Sequence, residues 1–149
     1  MITERDLLLA WVAGIMDGEG SFLLNSNGSE RNGVSLCLSL QMTDKETVER
    51  VCRIIGIGCV IKLRLRNLKH KPLYKWALST QNAIDAIRMF RPYLFLKDQQ
   101  ADILIRYMEE VHCEYGKKPT VDQVYLRNFL LQEIRKLNQR GSLKEDSDQ

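Results

Sequence analysis

The sequence is short of the residues that staple, chelate or cross membranes. It has two His and four Cys. None of the cysteines forms a CxxC pair, which excludes the usual zinc arrangements. Cys37, Cys52, Cys59 and Cys113 read as reduced thiols. Three Pro and nine Gly in 149 residues exclude a collagen-like or low-complexity chain. The longest apolar run, Leu7 to Met16, is ten residues, about half of what a membrane-spanning helix needs. The first residues lack the basic segment and cleavage site of a secretory signal, and the Arg- and Ser-rich character of a transit peptide. The expectation is an intracellular protein with no membrane partner, in the cytoplasm of a microbe or an organelle matrix. The last deficit is local: from Ile57 to Thr80 there is no acidic residue, against six Lys and Arg.

What is present is ordinary for a globular chain: 44% hydrophobic and 28% charged residues with a net charge of +3. The length predicts one domain, placed at 1–141, with a polar, acidic tail at 142–149 that is expected to fray.

Residues 3–18 read as a helix, with Thr3 and Asp6 at capping-box spacing. Its middle is apolar all round, so it must be covered on every side, by its own fold alone or together with a second chain. It ends in Gly18-Glu19-Gly20, where two glycines permit unusual backbone angles. Residues 21–28 and 33–43 read as a hairpin. Val34, Leu36, Leu38, Leu40 and Met42 alternate with Ser35, Cys37, Ser39, Gln41 and Thr43, the period of a sheet with one buried and one solvated face. A helix at 44–55 follows, capped by Thr43 or Asp44, with Val48, Val51, Cys52 and Ile55 as its apolar stripe. A second hairpin spans 59–66 and 73–80, with Ile61, Leu63 and Leu65 expected inward. Helices are expected at 81–90, 97–114 and 120–139. This order predicts an α+β domain with a four-stranded antiparallel sheet and helices on one face.

Parity along the strands assigns the other face. It carries Leu23, Asn25 and Asn27; Ser35, Cys37, Ser39 and Gln41; Lys62, Arg64 and Arg66; and Lys75, Ala77 and Ser79. No position is acidic. One reading is a solvated surface that happens to be basic. The other is a surface for phosphates and base edges, because a two-stranded ribbon fits the major groove of DNA. The missing acids favour the second, since ordinary soluble surfaces mix both signs. Trp11 and Trp76 are expected in the core, as are Tyr107, Met108, Phe129 and Leu130.

The most informative segment runs from Trp11 to Ser21. Ala10, Gly14 and Gly18 recur every four residues, and Ala13 widens the bare stripe they form, so two helix backbones can approach closely. If two copies packed along it, two Glu19 carboxylates would meet, which is unfavourable unless a cation binds between them. Carboxylate and backbone carbonyl oxygens suit Mg²⁺. The plainer alternative is helix packing inside one chain followed by a glycine turn.

Val12-Ala13-Gly14-Ile15-Met16-Asp17-Gly18-Glu19-Gly20 resembles, position by position, the signature of the LAGLIDADG homing endonucleases. The resemblance extends to Gln41-Met42-Thr43-Asp44-Lys45 and to Pro92-Tyr93-Leu94-Phe95-Leu96-Lys97, covering roughly Leu7 to Tyr115. It implies an αββαββα core with a saddle-shaped sheet and extra C-terminal helices. One signature copy implies a homodimer, with Ala10, Ala13, Gly14 and Gly18 at the interface. Glu19 matches the metal-ligating acid, Gly18 would offer its carbonyl, and Asp17 matches an acid of structural role. Asp44 matches a position, often Gln, that orders water; here it is either that, a metal aid or a helix cap. Lys97 matches the basic residue near the reaction. Val48 stands where some relatives have another base.

The implied function is a site-specific double-strand DNA endonuclease that hydrolyses phosphodiester bonds with Mg²⁺, or Mn²⁺, at a long, partly palindromic target. The catalytic candidates are Glu19, Asp44 and Lys97. Those for DNA are Asn25, Asn27, Ser35, Ser39, Gln41, Lys62, Arg64, Arg66, Lys69, Lys71 and Lys75. The alternatives are an intron maturase acting on RNA and a non-cleaving nucleic-acid binder of the same fold. A protein adaptor would need an apolar exposed face.

Overall fold

In the computed structural model, residues 1–26, 33–67, 69–113 and 116–139 are described. Asn27, the rest of the 27–32 link within the first hairpin, and the tail at 142–149 lie outside them.

The elements run α1 (Glu4–Glu19), β1 (Gly20–Ser26), β2 (Val34–Met42), α2 (Lys45–Ile55), β3 (Val60–Leu63), β4 (Leu73–Ser79), α3 (Thr80–Phe90), a short 3₁₀ turn (Arg91–Tyr93), α4 (Asp98–Glu110) and α5 (Val121–Gln139). Thr3 starts α1 with a reciprocal capping box: its backbone N–H donates to Asp6 Oδ2 at 2.7 Å, and the Asp6 N–H donates to Thr3 Oγ1 at 3.1 Å. At the other end of α1 neither Gly18 nor Gly20 uses the positive φ open to glycine. Gly20 is extended, at φ −74°. Its glycine is required by close approach instead, because a Cβ there would lie 2.7 Å from the carbonyl oxygen of Met16.

The four strands form one antiparallel sheet in the order β1-β2-β4-β3. Phe22, Leu24, Leu36, Leu38, Leu40, Trp76 and Leu78 are buried on one face. They pack with Val12, Ala13 and Met16 of α1, Val48 and Val51 of α2, Ile84, Ile87 and Phe90 of α3, and Leu104 of α4. Burial of such side chains is worth about 1.5–3 kcal/mol each before chain entropy is charged against it. Tyr107 and Leu130 join this core as expected, whereas Phe129 is half exposed on α5.

Sequence parity fails on β3. Val60 pairs with Trp76, Ile61 with Lys75, and Lys62 with Tyr74. Directly opposed residues share a face, so Lys62 lies on the Trp76 side and Ile61 and Leu63 on the other. Trp76 sets this register: its indole Nε1 donates to the Ile57 carbonyl at 2.8 Å. At Gly58, whose φ is +84°, an added Cβ would lie 3.1 Å from the same nitrogen, so glycine leaves room for the indole to bond Ile57. That contact outweighs the preference of a four-residue edge strand for burying Ile61. Leu65, Arg64 and Arg66 fall beyond the end of β3.

Candidate nucleic-acid interface and acidic centre

The start of β1 and the end of β2 lie at the same end of the sheet, since Gly20 pairs with Leu40. Glu19 is the last residue of α1 and enters β1 directly, and its carboxylate is exposed. Gly18, beside it, is exposed too. The last turn of α1 contains no basic residue. Two carboxylates, Asp17 and Glu19, therefore sit at the negative end of the helix dipole, where cations are favoured. Asp44, four residues after Leu40, is the N-cap of α2 but makes no side-chain capping bond to the helix backbone. Instead its Oδ2 accepts the Thr47 hydroxyl.

Lys97 is brought to Glu19 by a built support. Asp17 Oδ2 accepts the backbone N–H of Phe95 at 2.9 Å, and Oδ1 accepts those of Leu96 and Lys97 at 3.0 Å. The Arg91 guanidinium grips Asp102 through two bonds of 2.6 and 2.7 Å. The Tyr93 hydroxyl donates to Asp6 at 2.6 Å. The Lys97 ammonium then donates to the Gly20 carbonyl at 2.5 Å. Burial pushes the Lys97 ammonium below the usual lysine range, and the nearby Asp17 and Glu19 carboxylates oppose that shift. Asn138 of α5 donates to the Phe22 carbonyl at 3.2 Å, so two side chains occupy the otherwise open edge of β1. Nothing in the sequence pattern signalled Asn138.

The sheet face away from the helices is bare. It carries Ser21, Leu23 and Asn25 of β1; Ser35, Cys37, Ser39 and Gln41 of β2; Leu73, Lys75, Ala77 and Ser79 of β4; and Ile61 and Leu63 of β3. None of these is acidic and none is buried. Of the expected contacts, Asn25, Ser35, Ser39, Gln41 and Lys75 stand on this face. Lys62 does not, because the Trp76 contact turns β3 over. Arg64, Arg66, Lys69 and Lys71 are exposed in the connection between β3 and β4. There Lys62, Arg64, Asn67 and His70 line an open concavity of about 640 Å³. Cys37 is kept a thiol by burial, which raises its pKa.

The helix stripe divides. Ala13 is fully buried in the chain's own core and so is not available to a partner, contrary to the sequence expectation. Leu7, Ala10, Gly14 and Gly18 are exposed along one line of α1. A Cβ added at Gly14 or Gly18 would meet nothing within 4 Å. The chain's own packing therefore gives no reason for glycine there, although glycine costs a helix about 1 kcal/mol relative to alanine. Leu7 is 63%, Phe95 83% and Leu96 67% exposed, the last two on the segment that Asp17 holds. Trp11 is half-buried beside this line, with the Arg50 guanidinium 4.7 Å above its ring.

No family model matches the sequence, and no curated protein does. Solved structures do. I-CvuI, a homing endonuclease in complex with its target in the presence of calcium, superposes with a TM-score of 0.69 at 19% identity, over 89% of this chain and 83% of its own. The archaeal intron-encoded homing endonuclease I-Vdi141I, complexed with DNA, gives 0.64 at 16% identity, over 90% and 86%. The LAGLIDADG homing endonuclease I-GzeII, in complex with a DNA target, gives 0.57 at 18% identity, over 93% of this chain and 48% of its own. At these identities the likeness defines the fold. This chain has the fold of the LAGLIDADG homing endonucleases.

Proposed function

We propose that this chain is a site-specific, divalent-metal-dependent DNA endonuclease that acts as a homodimer. The observation that carries the reading is the exposed Glu19 at the end of a helix line whose glycines meet nothing in their own chain. Two copies packed along Leu7, Ala10, Gly14 and Gly18 bring two Glu19 carboxylates together beneath two bare, acid-free sheet faces. DNA complexes of proteins with this fold support duplex DNA as the substrate.

The donors fit a hard cation. Glu19 supplies carboxylate oxygen, and Gly18 supplies a carbonyl from the last turn of a helix, where such oxygens lack intrahelical partners. Among the described residues of one chain there is no group of three or more His, Cys, Asp or Glu able to hold a metal, so phosphate oxygens, waters and the second copy would complete the ligand set. A bound Mg²⁺ or Mn²⁺ supplies Lewis acidity at the scissile phosphate. The chain does the rest. Lys97, its Nζ donating to the Gly20 carbonyl, sets a positive charge beside the phosphate. Asp44, its Oδ2 held by Thr47, orders water at the rim. Asn25, Ser35, Ser39, Gln41 and Lys75 face the bases, and Arg64, Arg66, Lys69 and Lys71 hold phosphates.

The test is incubation with a randomised-site duplex library and Mg²⁺, with and without chelator. Cleavage of both strands at one long, partly palindromic sequence, abolished by chelator, is the expected result. Duplex binding with no cut product would contradict it.

A further inference from the structure

Large apolar side chains are exposed in three places among the described residues: at the free side of α1 with the 95–96 segment, along α5, and at Ile61. Ile61, 52% exposed, is the only one of them on the sheet. The register turns it to the bare face, in one cross-strand row with Lys75 and Gln41. The row is chemically graded. Gln41 can pair with adenine, Lys75 with guanine or phosphate, and an exposed aliphatic group is matched in the major groove by one base-pair feature, the thymine C5-methyl.

We propose that Ile61 is a specificity-determining residue that seats against a thymine methyl in each half of the target. This rests on the DNA-endonuclease reading. Neighbouring strands are about 4.8 Å apart and base pairs about 3.4 Å, so the thymine lies within about three base pairs of the position read by Gln41. Losing one methyl contact is worth roughly a fourfold change.

The experiment takes the site recovered from the randomised library and replaces its thymines one at a time with deoxyuridine, which lacks only the methyl. Each duplex competes with the parent, and relative kcat/KM is read. The wild-type protein is expected to prefer thymine about fourfold at one position per half-site. Ile61→Ala should cut thymine and uracil duplexes equally there, and Ile61→Val should keep part of the preference. Ile61 is exposed, so neither change touches the core. Two results would overturn the assignment alone: a site with no methyl-sensitive thymine, or a preference unchanged in Ile61→Ala. A library that yields no cut site would instead remove the endonuclease reading on which it stands.

Discussion

The Lys97 ammonium donates to the carbonyl of Gly20 at 2.5 Å, on the residue that follows Glu19. Its position is not left to a flexible side chain, because Asp17 fixes the Lys97 backbone through three N–H groups in succession. A charged group held in this way meets a substrate without first having to be ordered. Replacing Lys97 with Met should lower single-turnover cleavage at saturating DNA by at least tenfold and leave duplex affinity within a few fold. It should also cost about 1 kcal/mol of stability by freeing the Gly20 carbonyl. Unchanged single-turnover rates would remove Lys97 from the chemistry.

The Asp17 support makes a separate prediction. Asp17→Asn keeps the size of the side chain but weakens charge-assisted bonds to the 95–97 backbone. Cleavage should fall in parallel with Lys97→Met, and combining the two should cost little more than either alone, because both act on one group. Fully additive losses would show that Asp17 acts elsewhere.

The glycines of α1 test the proposed dimer. A Cβ added at Gly14 meets nothing within 4 Å and the position is exposed, so in Gly14→Leu far-UV circular dichroism and thermal unfolding of the monomer should be preserved. Light scattering should show the mass fall to that of one chain, with loss of cleavage. Gly20→Ala is the contrast: its Cβ would crowd the Met16 backbone and should destabilise the fold by about 1–3 kcal/mol. A Gly14→Leu protein that remained a tight, active dimer would place the interface elsewhere.

The Asp6 carboxyl sets an acid limit. Hydrogen bonds from Tyr93 and then Thr3 hold its pKa at about 2, against an ordinary value of 3.8. A carboxylate depressed in the folded state stabilises above its unfolded pKa and loses that effect as pH falls through the folded one. Wild type should therefore lose melting temperature relative to Asp6→Asn between about pH 4 and pH 2. A difference between the two that is flat across this window would contradict the Tyr93 and Thr3 contacts.

How far the sequence reveals this molecule depends on how many residues vote on each feature. Nine consecutive positions of β2 alternate, and no local contact competes with them, so their face is legible. β3 has four residues, and one distant contact, from Trp76 to the Ile57 carbonyl, overrides its alternation and turns Lys62 away from Lys75. Ala13 and Gly14 are neighbours of similar size. Only the packing of α1 on the sheet tells that one is core and the other free. The segment points to Glu19 through its resemblance to the LAGLIDADG signature, with the spacing of the small residues beside it. The route by which Asp17 carries Lys97 to Gly20 spans about eighty residues of chain, and no local pattern records it.

The most direct test of the central claim is the effect of Glu19→Gln on cleavage of the selected duplex in Mg²⁺. The substitution keeps shape and removes one negative charge from an exposed helix end, so the fold and duplex binding should persist. Loss of cut product with retained binding is the result expected if the two Glu19 carboxylates hold the cation. Cleavage at the wild-type rate would contradict that role.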